Sequence, residues 1–115
     1  MNNLLKNKLP LVSIIIPCRN EEKHIDRCLD SIVAQDYPKD ELEVLVVDGM
    51  SEDGTRKIVE EYAKQRQFIR LLDNPKRITP CAFNTGFQHA TGSNVAIVGA
   101  HSYIPAHYPP LFVME

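Results

Sequence analysis

The chain reads as an α/β domain built on an open parallel sheet with helices on both faces. Four short apolar runs, at residues 11–16, 42–47, 68–72 and 95–98, punctuate the sequence, and the first, Leu-Val-Ser-Ile-Ile-Ile, is the mostly β-branched string of a strand covered on both sides. The intervals between the runs carry apolar residues at helical spacing. The connections are short, so the strand–helix–strand units close by right-handed crossovers into one sheet. Composition agrees: 115 residues with 43% hydrophobic and 24% charged side chains make one small core and exclude a disordered or low-complexity chain.

Each element has its own signal. Pro17 ends the first strand. Asn20 is placed to cap a helix that begins at Glu21-Glu22, whose carboxylates suit the positive helix end, and Ile25, Cys28, Leu29, Ile32 and Val33 form its apolar face up to a stop near Tyr37-Pro38. The second strand, 42–47, runs into the polar turn Asp48-Gly49-Met50-Ser51-Glu52-Asp53-Gly54. Asp53 is expected to cap the next helix, which buries Ile58, Val59, Tyr62 and Ala63. Asp73-Asn74-Pro75 breaks the third strand. Thr79 and Pro80 read as an N-cap and a first-turn proline, Ala82, Phe83, Phe87 and Ala90 as a buried face, and Gly92 as the helix stop before the fourth strand. Beyond Gly99 the chain is proline-interrupted, with a fresh apolar start at 111–114.

Function classes narrow quickly. A net charge of −2 carries no basic footprint for a phosphate backbone, so no nucleic-acid partner is expected. Cys18, Cys28 and Cys81 are odd in number and lack a CxxC pair, which fits neither a disulfide framework nor a thiolate zinc site and points to a reducing, cytoplasmic setting. The apolar run after Pro10 is too short to span a bilayer and has no cleavage site of a secretory leader. Neither the Walker loop nor the dinucleotide glycine fingerprint occurs.

In open parallel sheets ligands bind beyond the carboxyl ends of the strands, at the point where strand order reverses. That rule selects residues 17–21, 48–53, 73–77 and 99–101. The segment Pro17-Cys18-Arg19-Asn20-Glu21-Glu22 leaves a strand and opens a helix, and its free backbone N–H groups, those after Pro17, either face an anion or nucleotide or close a solvated turn. Asp48 either accepts hydrogen bonds from a ligand or bonds the amides of Ser51 or Gly54. Arg77 can present a guanidinium to a phosphate, and Asn84 is either a specific hydrogen-bonding group or an exposed helix residue. Among the histidines, His24 and His89 fall in predicted helices as surface or boundary residues, whereas His101 follows the fourth strand and can join a metal site. The cysteines read as small core side chains, with Cys18 the one near the presumed cleft.

The strings Val12-Ser13-Ile14-Ile15-Ile16-Pro17-Cys18-Arg19-Asn20-Glu21-Glu22, Ser31-Ile32-Val33-Ala34-Gln35-Asp36-Tyr37-Pro38 and Val46-Val47-Asp48-Gly49-Met50-Ser51-Glu52-Asp53-Gly54-Thr55 together resemble the family 2 glycosyltransferases. The likeness continues through Asn74-Pro75-Lys76-Arg77 and Ala82-Phe83-Asn84-Thr85-Gly86 to Ala90-Thr91-Gly92, and within the family it leans toward the branch that builds succinoglycan-type exopolysaccharides.

The resemblance implies a Rossmann-like sheet that is the N-terminal, nucleotide-sugar-binding half of a GT-A fold, with residues 1–10 as a tail and 11–115 as the domain, truncated at its C-terminus. It implies inverting transfer of a sugar from a nucleotide-sugar donor of the UDP-sugar class to a glycan or lipid-linked acceptor. Carried over to this sequence, it places Pro17, Arg19, Glu21 and Asp48 at the base and ribose and Arg77 near the diphosphate. The family's Mg²⁺ or Mn²⁺ sits on an Asp-x-Asp motif, a Lewis-acid site of hard oxygen ligands. The equivalent residues here are Gly99-Ala100-His101, which leaves His101 as the one metal ligand of the motif. The resemblance also implies that the acceptor half and the catalytic base lie beyond this chain, so that the piece alone binds without turnover and belongs to a parent at the cytoplasmic face of the membrane. A piece ending on an apolar run is expected to expose a sheet edge or a core face and so to self-associate or dissolve poorly.

Overall fold

The computed structural model describes residues 10–102. Four parallel strands, β1 (Val12–Cys18), β2 (Leu42–Asp48), β3 (Ile69–Asp73) and β4 (Asn94–Ile97), lie in the order β3-β2-β1-β4. Helices α1 (Ile25–Val33), α2 (Thr55–Gln65) and α3 (Thr79–His89) connect them, with a short 3₁₀ turn, Lys39–Glu41, before β2. The first two crossovers step outward from β1 and the third returns to its other side, so the switch point falls between β1 and β4. This is the Rossmann-like parallel sheet expected. The proline-rich stretch and the apolar residues 111–114 lie outside the described residues.

Alternation along the strands sorts the core into two layers. Val12, Ile14 and Ile16 of β1 and Val44 and Val46 of β2 meet Ile25, Leu29 and Ile32 of α1 and Val59 of α2 on one face. Ile15, Leu45 and Val47 point the other way and meet Ala82 of α3. Register sets the site: Cys18 lies opposite Asp48, and Asp48 opposite Asp73, so three strand ends finish in one row.

Several local expectations are corrected. Asn20 caps no helix. Its backbone is left-handed (φ 54°), its side-chain oxygen accepts from the Glu52 amide (2.8 Å), and α1 starts only at Ile25 after a turn in which the amides of His24 and Ile25 both donate to the Glu21 carbonyl (2.9 Å each). The same helix ends at Val33, short of Tyr37. Asp53 stands one residue before the N-cap position of α2, yet its carboxylate accepts from the Thr55 amide (2.9 Å) and so still closes the helix start. Thr79 is the first residue of α3, not its cap, which is Ile78.

Phe87 is 51% exposed rather than part of a buried face. Helix α3 packs through its smallest residues, Ala82 and Gly86; a β-carbon on Gly86 would stand 2.7–2.9 Å from three atoms of Ile15, and this close approach turns Phe87 outward. Gly92 likewise serves packing rather than a helix stop: a β-carbon there would lie 2.7 Å from the Leu11 carbonyl oxygen and the Ser13 amide.

Candidate functional site

Three loops leave the carboxyl ends of β1, β2 and β3, and backbone bonds hold them side by side. The Gly49 amide donates to the Cys18 carbonyl (2.8 Å), and the Asn74 amide donates to the Asp48 carbonyl (2.8 Å). Side chains then zip the first two loops. The Asn20 amide donates to Ser51 Oγ (2.7 Å), the Glu21 amide to Thr55 Oγ1 (2.7 Å), and the Gly54 amide to Glu22 Oε1 (2.5 Å). Each loop contains one non-glycine residue with positive φ: Asn20 (54°), Met50 (62°) and Arg77 (69°). Such backbone is uncommon outside glycine and collects at sites the fold over-determines.

Behind these loops sits Asp48, fully buried. Its Oδ2 accepts from Arg56 Nη1 (2.9 Å) and from the Ser51 amide (2.8 Å), and its Oδ1 from Ser51 Oγ (2.5 Å) and, more weakly, from the Cys18 thiol (3.5 Å). The turn role read for Asp48 is therefore realised through Ser51, while the Gly54 amide goes to Glu22 instead. Arg56 also donates to Asp73 (2.7 Å) and so bridges the β2 and β3 ends. The Asp73 hydrogen bond, reinforced by Asp48 and opposed by burial, raises the guanidinium's pKa above its ordinary value. Burial, with the Asp48 charge adding to it, pushes the Cys18 thiol far up, and burial alone pushes Cys28 up to about 12. Both thiols are held protonated, as core side chains.

In front of Asp48 opens a cavity of about 220 Å³ lined by Pro17, Cys18, Arg19, Glu21, Asn74, Arg77, Thr79 and Ala82. Four of the five residues expected to hold a nucleotide, Pro17, Arg19, Glu21 and Arg77, thus share one space; Asp48 stands outside its lining. Arg77 is exposed on the cavity rim, and Gly49 lets its loop in, since a β-carbon there would meet the Arg77 backbone at 3.2–3.3 Å. Two polar atoms inside the site are buried without a hydrogen-bond partner, Arg19 Nη1 and Glu21 Oε1. Glu21 Oε1 does lie 2.8 Å from His101 Nδ1, within ion-pair distance though off the hydrogen-bond direction. A buried guanidinium N–H without an acceptor is costly unless a ligand supplies one.

Sequence reasoning missed Thr79 as a cavity residue and Arg56 as the partner of Asp48. Asn74 is 2% exposed, and its Nδ2 donates to the Ile78 carbonyl (2.9 Å), fixing the entry to α3. In the sequence it reads as a strand breaker within the 73–77 strand-end group. Asn84 is exposed in α3 and forms no part of the cavity.

The expected metal motif fits a hard cation poorly. Gly99 and Ala100 offer no side-chain ligand atom, and His101, with its side chain 70% exposed, brings a nitrogen where Mg²⁺ would want oxygen. His24, read as a helical surface residue, instead stands in the turn before α1, its ring 4.9 Å from that of His101 in an edge-on arrangement. Among the described residues, no helix is long and apolar enough to cross a membrane.

Comparison with known proteins adds an independent line. The sequence model described as glycosyl transferase family 2 matches residues 13–114. A dolichyl N-acetyl-alpha-D-glucosaminyl phosphate 3-beta-D-2,3-diacetamido-2,3-dideoxy-beta-D-glucuronosyltransferase of Methanococcus voltae is 45% identical, over 80% of this chain and 29% of its own length. The succinoglycan biosynthesis protein ExoA of Rhizobium meliloti is 36% identical, over 83% of this chain and 29% of its own. Among solved structures, the mannosyltransferase PcManGT from Pyrobaculum calidifontis, in complex with GDP-Man and Mn²⁺, superposes with a TM-score of 0.79 at 40% identity, over 87% of this chain and 30% of that one. TarS of Staphylococcus aureus in complex with UDP-GlcNAc gives 0.70 at 33% identity, over 83% and 28%. The chain thus spans less than a third of the length of these relatives.

Proposed function

The chain belongs to glycosyl transferase family 2, and from that premise we propose that it forms the donor-binding part of an enzyme that moves a sugar, with inversion, from a UDP-sugar to a glycan or lipid-linked acceptor. The observation that carries the reading is the cavity at the strand ends, where Pro17, Arg19, Glu21 and Arg77 converge and Arg19 keeps a buried N–H without an acceptor. Arg19 and Arg77 supply the fork-like donors that diphosphate and carbonyl oxygens take up. Glu21 supplies an acceptor for a ribose hydroxyl or a base N–H. Asp48 joins from behind by exchanging its Oδ1 contacts, the Ser51 hydroxyl and the weak Cys18 thiol, for a nucleoside N–H.

The cavity is below the roughly 300–1,000 Å³ of a complete small-molecule site, which suits a nucleotide-binding half better than a whole donor-plus-acceptor site. A second reading, a nucleotide-binding module without turnover, is favoured by Glu21 being the single carboxylate in that lining, already set against His101. The free thiols of Cys18, Cys28 and Cys81 support a cytoplasmic setting, with the longer parent at the membrane's cytoplasmic face. The succinoglycan-type branch is the finer assignment we propose, although the Methanococcus relative at 45% identity belongs to a different glycan.

Calorimetric titration of the chain with UDP, with and without Mn²⁺, tests the reading. We expect saturable heat at micromolar to millimolar UDP; no heat at millimolar UDP in either condition contradicts donor binding. Release of sugar from a UDP-sugar onto an added acceptor by this chain alone would overturn the division between donor half and catalytic whole.

A further inference from the structure

At the outer rim of the cavity Glu21, His24 and His101 bring one carboxylate oxygen and two imidazole nitrogens within 4.8 Å of one another. The backbone builds this grouping from two loops. Glu21 is pinned by its own amide on Thr55 Oγ1 and by its carbonyl, which takes the amides of His24 and Ile25, so the Glu-x-x-His pair is set in a single tight turn. His101 is brought in from the end of β4, where the Gly99 carbonyl accepts from the Ser102 amide (2.9 Å) and from the Cys28 thiol (3.7 Å), and Ala100 is buried against the core. Both imidazoles are exposed, which leaves them free to turn onto a shared ion.

We propose that Glu21, His24 and His101 form an open site for a borderline divalent cation such as Zn²⁺, Co²⁺ or Ni²⁺, in place of the oxygen-ligated Mg²⁺ or Mn²⁺ that Asp-x-Asp would hold. Two imidazoles and one carboxylate are the donor set these ions prefer, whereas Mg²⁺ demands oxygen and Mn²⁺ stands lowest in the affinity order of the divalent first-row metals. Three protein ligands leave a coordination position for water or an anion, and because Glu21 also lines the cavity, a bound ion would stand at the edge of the proposed donor site. The inference goes beyond the donor-binding reading and needs no nucleotide, since every ligand belongs to this chain.

The test is nucleotide-free titration of the full chain with Zn²⁺, Co²⁺, Mn²⁺ and Mg²⁺, followed by calorimetry and, for Co²⁺, by visible absorption. Zn²⁺ is expected to bind at least about tenfold more tightly than Mn²⁺, with no heat from Mg²⁺ and a Co²⁺ spectrum of nitrogen and oxygen ligation. His24→Ala and His101→Ala should each weaken Zn²⁺ by about tenfold or more while the circular dichroism stays unchanged, and Glu21→Gln should weaken it too. Equal Zn²⁺ affinity in the wild type and His24→Ala, tighter Mn²⁺ than Zn²⁺, or a cobalt–thiolate charge-transfer band would each overturn the proposal. UDP binding measured in the presence of chelator separates the two readings: a chain that binds Zn²⁺ but no UDP refutes only the donor site, and a chain that binds UDP but shows no Zn²⁺ binding in its own titration refutes only the metal site.

Discussion

Two carboxylates at the same end of the sheet, Asp48 and Glu21, are partnered in opposite ways. Asp48 is fully buried and takes its hydrogen bonds from Arg56, Ser51 and Cys18, all inside the chain. Glu21 has a buried oxygen with no hydrogen-bond donor, and Arg19, lining the same cavity, has a buried nitrogen with no acceptor. A satisfied buried charge fixes loops; unsatisfied neighbours are where binding energy is still to be gained. The strand-end region therefore divides into an anchor, Asp48 with Arg56, and a mouth, Arg19 with Glu21.

Substitution should break the two halves differently. Asp48→Ala is expected to have the largest effect: it strands Arg56 and two Ser51 donors and should cost about 3 kcal/mol of stability in denaturant unfolding, with UDP binding lost as well. The figure is kept at the low end because Arg56 is part-exposed and retains Asp73. Glu21→Gln should leave stability within about 0.5 kcal/mol, since His101, its ion-pair partner among the described residues, is mostly exposed and such pairs contribute little, while UDP affinity falls.

The smallest expected effect is at Asp53, and it fades in acid. Against the upward push of desolvation, hydrogen bonds from the Thr55 hydroxyl, the Thr55 amide and the Glu22 amide hold its carboxyl below the ordinary value of 3.8. Because the folded pKa is depressed, this contribution is complete above that value and is lost as pH falls through the lower folded one. Asp53→Asn should therefore lower stability slightly at neutral pH, and its flatter curve should meet the wild-type one as pH falls below about 4. A wild-type curve equally flat in acid would remove Asp53 from the loop clasp.

How much of this was legible depends on range. The strands were, because a strand covered on both faces must be a near-continuous apolar run, as 11–16 and 42–47 are. The start of α1 was not, because Asn20 spends its side chain on Glu52, far along the chain, and local capping rules do not see such a partner. Phe87 misled because hydrophobicity outweighed size: α3 touches the sheet through Gly86. In the site, Pro17, Arg19, Glu21 and Arg77 followed from the strand-end rule and the family resemblance. The pairing of His24 with His101 did not, since it depends on loops meeting from distant parts of the chain.

The division into anchor and mouth is tested most directly by Arg19→Ala, with thermal unfolding and UDP calorimetry run on the same preparation. The account predicts an unfolding temperature within a few degrees of wild type, as expected when about 1 kcal/mol or less is at stake, together with at least about tenfold weaker UDP binding. An Arg19→Ala chain that binds UDP as tightly as the wild type would contradict it.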